Sequence, residues 1–209
     1  MKKYFKIFIA IFILVIFSYT TYHYFHSSGN VSNANSTLEV ENVVNSFFTD
    51  LKNGNLESAS KYLEDNDRYY NVEFKFKNKI YEDILKKTFS KMDYKIENLT
   101  VRNSSAEANV QITSLDLLGM YNQCSKELDP LIKVYLSGNE NEKTKAKNEI
   151  KSILKDRLEE SVKKGDYPKL KGTVKINLIM KDGKWIIVPN SDLIYYLTGR
   201  MIGLMSKNL

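Results

Sequence analysis

The longest apolar run of the chain lies near its N-terminus. Ten of the eleven residues from Ile7 to Phe17 are isoleucine, leucine, valine or phenylalanine, and three lysines precede them. A helix from Tyr4 to Phe25, rising about 1.5 Å per residue, would extend roughly 33 Å and cross a hydrocarbon core of about 30 Å. Because the flanking positive charges all precede the run, we expect residues 1–26 to form a signal-anchor transmembrane helix. Its N-terminus would be cytoplasmic and the rest of the chain extracytoplasmic.

A cleaved signal peptide would show the same lysines and a similar apolar core. Cleavage requires small residues soon after that core, yet the bulky segment 22–26 precedes the first suitable site at Ser27-Ser28-Gly29. No cysteine follows the core, so a lipoprotein attachment site is excluded. We therefore predict an uncleaved anchor in the cell membrane, although either alternative exports the domain.

A short polar segment separates the anchor from the first amphipathic pattern. Residues 27–37 are small and polar without periodicity, which is typical of a flexible linker. Apolar residues then recur at helical spacing from Leu38 to Leu51, from Leu56 to Leu63 and from Asn78 to Lys91, so each segment predicts a helix. Residues 64–77 fit either a loop or a strand.

Farther along the chain the apolar period changes to two. Residues 94–101 and 106–112 alternate around Arg102 to Ser105, and residues 174–180 and 185–188 alternate around a Lys-Asp-Gly-Lys turn. Both patterns predict antiparallel hairpins with one buried face. The segment between them returns to helical spacing, with a break at Ser137-Gly138-Asn139. These patterns predict an α+β domain over residues 38–209, in which helices pack on a curved antiparallel sheet and a helical insertion covers about 115–165.

The last predicted element is a C-terminal helix capped by Ser191 and Asp192. Its apolar residues leave little of the helix circumference polar. They are Leu193, Ile194, Tyr195, Tyr196, Leu197, Met201, Ile202, Leu204 and Met205. Such a helix either packs deeply against the sheet or joins another chain, so a homo-oligomer through this helix is one possible assembly.

Charge argues against a nucleic-acid partner. The chain has 31 basic and 25 acidic residues, and the three N-terminal lysines precede the first acid at Glu39. Without those lysines the chain has 28 basic and 25 acidic residues, a net charge of +3. Acidic and basic residues are interspersed, so the clustered basic surface that binds phosphate backbones is not indicated.

The residue types present exclude several chemistries. The two histidines, His23 and His26, lie at the membrane edge outside the domain, which removes histidine acid–base catalysis, histidine-activated nucleophiles and histidine-rich metal sites. There is no glycine-rich phosphate loop, cysteine pair or acidic calcium loop, so no cofactor and no metal are expected. Cys124, the single cysteine, fits a small buried apolar residue better than a reactive thiol.

Carboxylate and tyrosine chemistry remains open. Asp116 at a predicted strand end, with Tyr94 or Tyr121, could line a pocket as base and hydrogen-bond donor. The chain has fourteen tyrosines, so such a combination arises easily by chance. We therefore expect a protein that is not an enzyme and keep these three residues as candidate ligand-binding positions.

Several short motifs resemble the nuclear-transport-factor-2-like cone. They are Phe47 to Leu51, Asn53 to Leu63, Tyr94 to Ile96, Ala106 to Leu115 and Leu178 to Ile187. The chain looks most similar to domains of unknown function in bacterial lipoproteins and membrane-anchored proteins. The resemblance implies a cone-shaped fold, whose catalytic members use an acid with a tyrosine, aspartate or histidine partner. The missing lipoprotein cysteine and the helical insertion depart from that pattern, and the insertion could cover the cone or form an interaction arm.

Three hypotheses follow from the sequence. The first is a membrane-anchored extracytoplasmic module of the cell envelope that binds an apolar ligand or a protein partner without catalysis. The second is a small-molecule enzyme that uses carboxylate and tyrosine. The third is a structural or oligomerising component of an envelope complex.

Overall fold

The computed structural model describes residues 34–64 and 79–201. Over these residues the chain is an α+β protein with seven helices and one four-stranded antiparallel sheet. The elements are α1 (Ala34–Lys52), α2 (Leu56–Ser60), α3 (Lys79–Phe89), β1 (Asp93–Arg102), β2 (Ser105–Leu115), α4 (Leu117–Gln123), α5 (Ser125–Ser137), α6 (Glu140–Lys164), β3 (Lys169–Lys181), β4 (Lys184–Val188) and α7 (Ser191–Leu197).

The sheet has the strand order β1-β2-β3-β4, and all neighbouring strands are antiparallel. Both predicted hairpins are confirmed. The second one turns at Asp182 and Gly183, whose φ angles of 51° and 74° suit the tight turn that the Asp-Gly pair predicts. In β1 the register shifts between Ile96 and Asn98, which leaves Glu97 as a bulge.

One face of the sheet carries the core and the other is polar. In β2 buried and half-buried residues alternate along the strand, as its sequence predicts. Helices α1, α3 and α7 cover the apolar face. Large side chains with almost no exposed surface fill the layer between sheet and helices, including Phe47, Phe48, Leu51, Leu85, Phe89, Met92, Ile112, Ile176 and Ile187. This layer is therefore a packed core.

Helix α1 begins earlier than the sequence pattern indicated. It starts at Ala34, inside the 27–37 segment that we expected to be a flexible linker. Polar residues in an exposed first turn are compatible with a helix, which explains why the apolar pattern appeared only at Leu38. The short helix α2 ends at Ser60 instead of Leu63, because Leu63 pairs with Ile187 beside β4.

The predicted helical insertion consists of α4, α5 and α6. The predicted break at Ser137 to Asn139 separates α5 from α6, and Asn139 and Glu142 form a capping box at the start of α6. Cys124, Leu128 and Ala146 are buried between these helices. Burial raises the pKa of the Cys124 thiol, which agrees with its expected role as a small apolar residue.

The C-terminal helix differs from its prediction in two ways. Asn190, rather than Ser191 or Asp192, caps α7 by accepting a hydrogen bond from the Leu193 amide. The helix ends at Leu197, because Gly199 and Arg200 take positive φ angles of 53° and 73°.

The described residues of α7 pack within the chain. Leu193, Ile194 and Leu197 are buried against the sheet. The Tyr196 ring lies so close to β3 that a Cβ at Gly172 would overlap its hydroxyl. Met201 lies beyond the helix end, so it does not share a helical face with these residues.

Some predictions fall on residues 1–33, 65–78 and 202–209, outside the described residues. They include the anchor, the ambiguous segment before α3, and Leu204 and Met205 at the C-terminus. Among the helices of residues 34–64 and 79–201, none is both long enough and apolar enough to cross a membrane.

Candidate functional site

Tyr94 is half-buried and packs against the core between β1 and α1. Its ring stacks on Phe48, with the ring centroids 4.6 Å apart and the planes at 19°. Its hydroxyl is 3.3 Å from the Asn45 carbonyl oxygen, to which it donates, and 3.5 Å from the Thr49 hydroxyl. Both the ring and the hydroxyl of Tyr94 are thus engaged in packing α1 against β1.

Asp116 joins three parts of the fold. It follows β2 directly and caps α4, where one carboxylate oxygen accepts a hydrogen bond of 2.9 Å from the Gly119 amide. The Arg200 guanidinium donates to both carboxylate oxygens, through Nε at 2.7 Å and through a terminal nitrogen. The backbone amide of Asp116 also donates to the Pro168 carbonyl oxygen.

This two-bond ion pair is partly shielded from water. The side chains of Asp116 and Arg200 are 13% and 29% exposed. The hydrogen bonds that Arg200 donates to the Asp116 carboxylate raise the pKa of the Arg200 guanidinium. The Asp116 carboxylate thus accepts three hydrogen bonds from within the fold.

Tyr94 and Asp116 make their described contacts with different parts of the fold. Tyr94 lies opposite Ile112 in β2, four residues before Asp116, and its hydroxyl contacts α1. Tyr121 is half-buried on α4, five residues after Asp116. The described contacts of Asp116 and Tyr94 stabilise the fold, and ligand binding at the three candidate positions stays a prediction.

Arg200 is a residue that the sequence analysis missed. It is separated from Asp116 by 84 positions and lies in a segment that was predicted to continue the C-terminal helix. No local pattern identifies such a pairing, since only the packing of α7 brings the two residues together.

The most exposed apolar cluster of the described residues is at the end of α5. Val134, Tyr135 and Leu136 are consecutive, with exposed fractions of 40%, 41% and 72%. We call these three residues the arm tip, and the α5–α6 hairpin the arm. The only other large apolar side chain so exposed among the described residues is Leu38 in α1.

The arm is a well-defined helical hairpin. Helix α6 has 25 residues, and Arg157 of α6 forms an ion pair with Glu127 of α5. The connection at Gly138 is tight, since a Cβ there would lie 2.7 Å from the Val134 carbonyl oxygen. Leu128 and Ala146 hold the helices together, so the tip is presented on an ordered support.

The capping box at the arm turn leads to a local prediction. Replacement Asn139→Ala removes the side chain that accepts from the Glu142 amide, and this should cost about 1 kcal/mol. We expect faster hydrogen exchange in the first turn of α6, with little change in the sheet amides. Equal acceleration in β2 and β3 would show that the cap acts on the whole fold instead.

The end of α5 and the start of α6 are basic in sequence. Residues 133–147 contain four lysines and two acids, a net charge of +2, and Lys133, Lys145 and Lys147 are exposed. Glu140 pairs with Lys143 at 3.3 Å, and Glu142 accepts from the Asn139 amide in the capping box. The surface around the tip therefore carries a positive charge excess.

A concave cleft lies between α3 and α6. This cleft has a volume of about 340 Å³ and is lined by Asp83, Ile84, Lys86, Lys87, Ser90, Lys155, Leu158 and Glu159. Lys86 pairs with Glu82 at 2.6 Å, and Lys155 approaches Glu159 at 4.0 Å. Each pair is an ordinary surface ion pair within its own helix, one on α3 and one on α6.

The described residues offer no cluster of three or more histidine, cysteine or acidic side chains that could hold a metal ion. The comparisons with known proteins provide no further identification. A scan against protein-family models and searches of curated proteins and of solved structures found no match to this chain.

Proposed function

We propose that this protein is a membrane-tethered, extracytoplasmic docking module that performs no catalysis, and that its α5–α6 arm contacts another component of the cell envelope. The observation that carries the proposal is the exposed arm tip, Val134 to Leu136, on an ordered helical hairpin. The three side chains lie within one helical turn at the end of α5, and exposed apolar side chains at the end of a helical hairpin are available for interaction.

The packed core supports docking over catalysis or capture of a ligand inside the domain. Fully buried aromatic side chains occupy the layer between α1 and the sheet, where a cone-shaped fold would hold its ligand. Asp116 is bound to Arg200, and Tyr94 is stacked on Phe48. The enzyme hypothesis would need a carboxylate and a tyrosine facing a common space.

The order of elements supports the proposed relation to the nuclear-transport-factor-2-like cone. Three helices precede a hairpin, and a second hairpin completes an antiparallel sheet that α1 covers. Under this proposal the helices between β2 and β3 are an addition to the cone that serves as the arm. Oligomerisation through the C-terminal helix has less support, since Leu193, Ile194 and Leu197 are buried within the chain.

The tether is the sequence-based part of the proposal. It rests on the apolar run from Ile7 to Phe17 and the lysines before it. Protease treatment of intact cells should digest epitopes in the domain and leave an N-terminal epitope protected. Protection of both epitopes would overturn the extracytoplasmic location.

Crosslinking with mass spectrometry on native membranes tests the docking role. A photoreactive side chain at position 136 should form adducts that are absent when it stands at position 38, because Leu38 is 57% exposed but lies on α1. Replacement Leu136→Asp should lower arm adducts of neighbouring photoprobes at least several-fold, whereas Leu38→Asp should leave them unchanged. Equal adduct patterns from positions 136 and 38, with lipid adducts counted together with protein adducts, would contradict a docking role for the arm.

A further inference from the structure

We infer that the arm tip docks onto the anionic lipid surface of the membrane in which the chain is anchored. The inference rests on the proposed function, in which the arm contacts an envelope component, and it names that component. Three observations support it: the reach of the arm, the chemistry of the tip and the small size of the apolar surface.

The lengths of the segments allow the contact. Only residues 27–33 separate the predicted anchor from the first residue of α1, and seven extended residues span at most roughly 25 Å. The 13 residues of α5 give the hairpin a length of roughly 20 Å. The start of the domain is thus held within a distance of the bilayer that is comparable with the length of the arm.

The side chains of the tip suit a membrane–water interface. Leu136 and Val134 are apolar, while Tyr135 combines an apolar ring with a polar hydroxyl, a combination that favours the headgroup level. Lys133, Lys145 and Lys147 can attract anionic headgroups while their apolar stems lie along the surface. Residues 133–147 carry four lysines and only two acids, Glu140 and Glu142, so the net charge of +2 favours that attraction.

The size of the tip favours lipid over a protein surface. Three partly exposed side chains present an apolar area on the order of 300 Å², whereas stable protein interfaces bury about 1,200–2,000 Å². A weak lipid contact is sufficient here, because the anchor already holds the arm at a high effective concentration beside the bilayer. The arm would then act as a second membrane contact that orients the domain.

Site-directed spin labelling of the full chain in proteoliposomes tests this inference. In a Cys124→Ala background, one variant carries the label at Leu136→Cys and a matched control carries it at Thr173→Cys on the exposed polar face of the sheet. Collisions with oxygen and with a water-soluble nickel complex report the depth of each label. In phosphatidylglycerol vesicles the oxygen-to-nickel collision ratio at position 136 should rise several-fold, and the ratio at position 173 should stay at its aqueous value.

The lysines allow the electrostatic part of the inference to be tested. Phosphatidylcholine vesicles, high salt, or the combined changes Lys133→Glu, Lys145→Glu and Lys147→Glu should each return the label at position 136 toward the aqueous ratio. A label that is equally aqueous in both lipids would overturn the inference. A label at position 136 that is shielded from both reagents and shows dipolar broadening would also overturn the inference. It would identify a second copy of the chain as the partner of the arm tip.

The two proposals fail in different ways. An aqueous label together with protein adducts at position 136 in native membranes would overturn lipid docking and leave the docking arm in place. An aqueous label together with no adducts specific to position 136 would overturn both.

Discussion

Replacement Phe48→Ala should lower the free energy of unfolding by about 3–5 kcal/mol. The Phe48 side chain has no exposed surface and stacks on Tyr94, with Phe47 packed at its edge 5.2 Å away. Its removal would leave a cavity where α1 meets β1, and domains of this kind are stable by only about 5–15 kcal/mol. Denaturant unfolding of the full chain in mild detergent, followed by fluorescence of the buried single tryptophan Trp185, measures the loss.

Tyr94→Phe is the matched control for this prediction. It keeps the aromatic stack and removes only the hydroxyl contacts at 3.3 and 3.5 Å, so we expect a loss of about 1 kcal/mol or less. A large loss from Tyr94→Phe with a small one from Phe48→Ala would show that the hydroxyl, and not ring packing, determines the contribution of Tyr94. That result would reopen the question of a polar site at this position.

Replacement Asp116→Ala should be the second most damaging change. It removes the cap of α4, which by itself contributes about 1 kcal/mol, and it leaves Arg200 without its carboxylate partner. Each kcal/mol lost lowers the melting temperature of a chain of this size by about 2–4 °C. Circular dichroism of the full chain during heating should therefore show a drop of at least several degrees.

Arg200→Gln separates the two roles of Asp116. This variant keeps the α4 cap and breaks the ion pair, so its loss should be smaller than that of Asp116→Ala. Because the two residues are in direct contact, the double variant should be less damaged than the sum of the single variants. If Asp116→Ala left the melting temperature unchanged, the carboxylate would be dispensable for the fold, and the enzyme hypothesis would gain support.

The local elements could be predicted because each has a short-range cause. Alternation over 94–101 and 106–112 makes one face of the first hairpin apolar. In the second hairpin, the Asp-Gly pair supplies the positive φ angles of the tight turn. Helical spacing identified α1 and α3, and the Gly138–Asn139 break separated α5 from α6. The predicted helix ends were less accurate. The polar first turn of α1 hid its start at Ala34, and positive φ angles after α7 end that helix at Leu197.

The candidate residues behave differently because their roles depend on distant partners. Asp116 and Tyr94 were singled out for their chemistry, yet Arg200 and Phe48 determine what each one does. The pairing of Asp116 with Arg200 joins positions 84 apart, which no periodicity reports.

By itself, the sequence determined the apolar N-terminal run, the two hairpins, the amphipathic helices and the position of both histidines before residue 27, because these depend on composition and on neighbours a few residues apart. Only the tertiary structure decided that α7 is buried and that Asp116 is held by Arg200. It also decided that Val134, Tyr135 and Leu136 remain exposed. The physical reason is that burial and pairing are set by which surfaces meet in space.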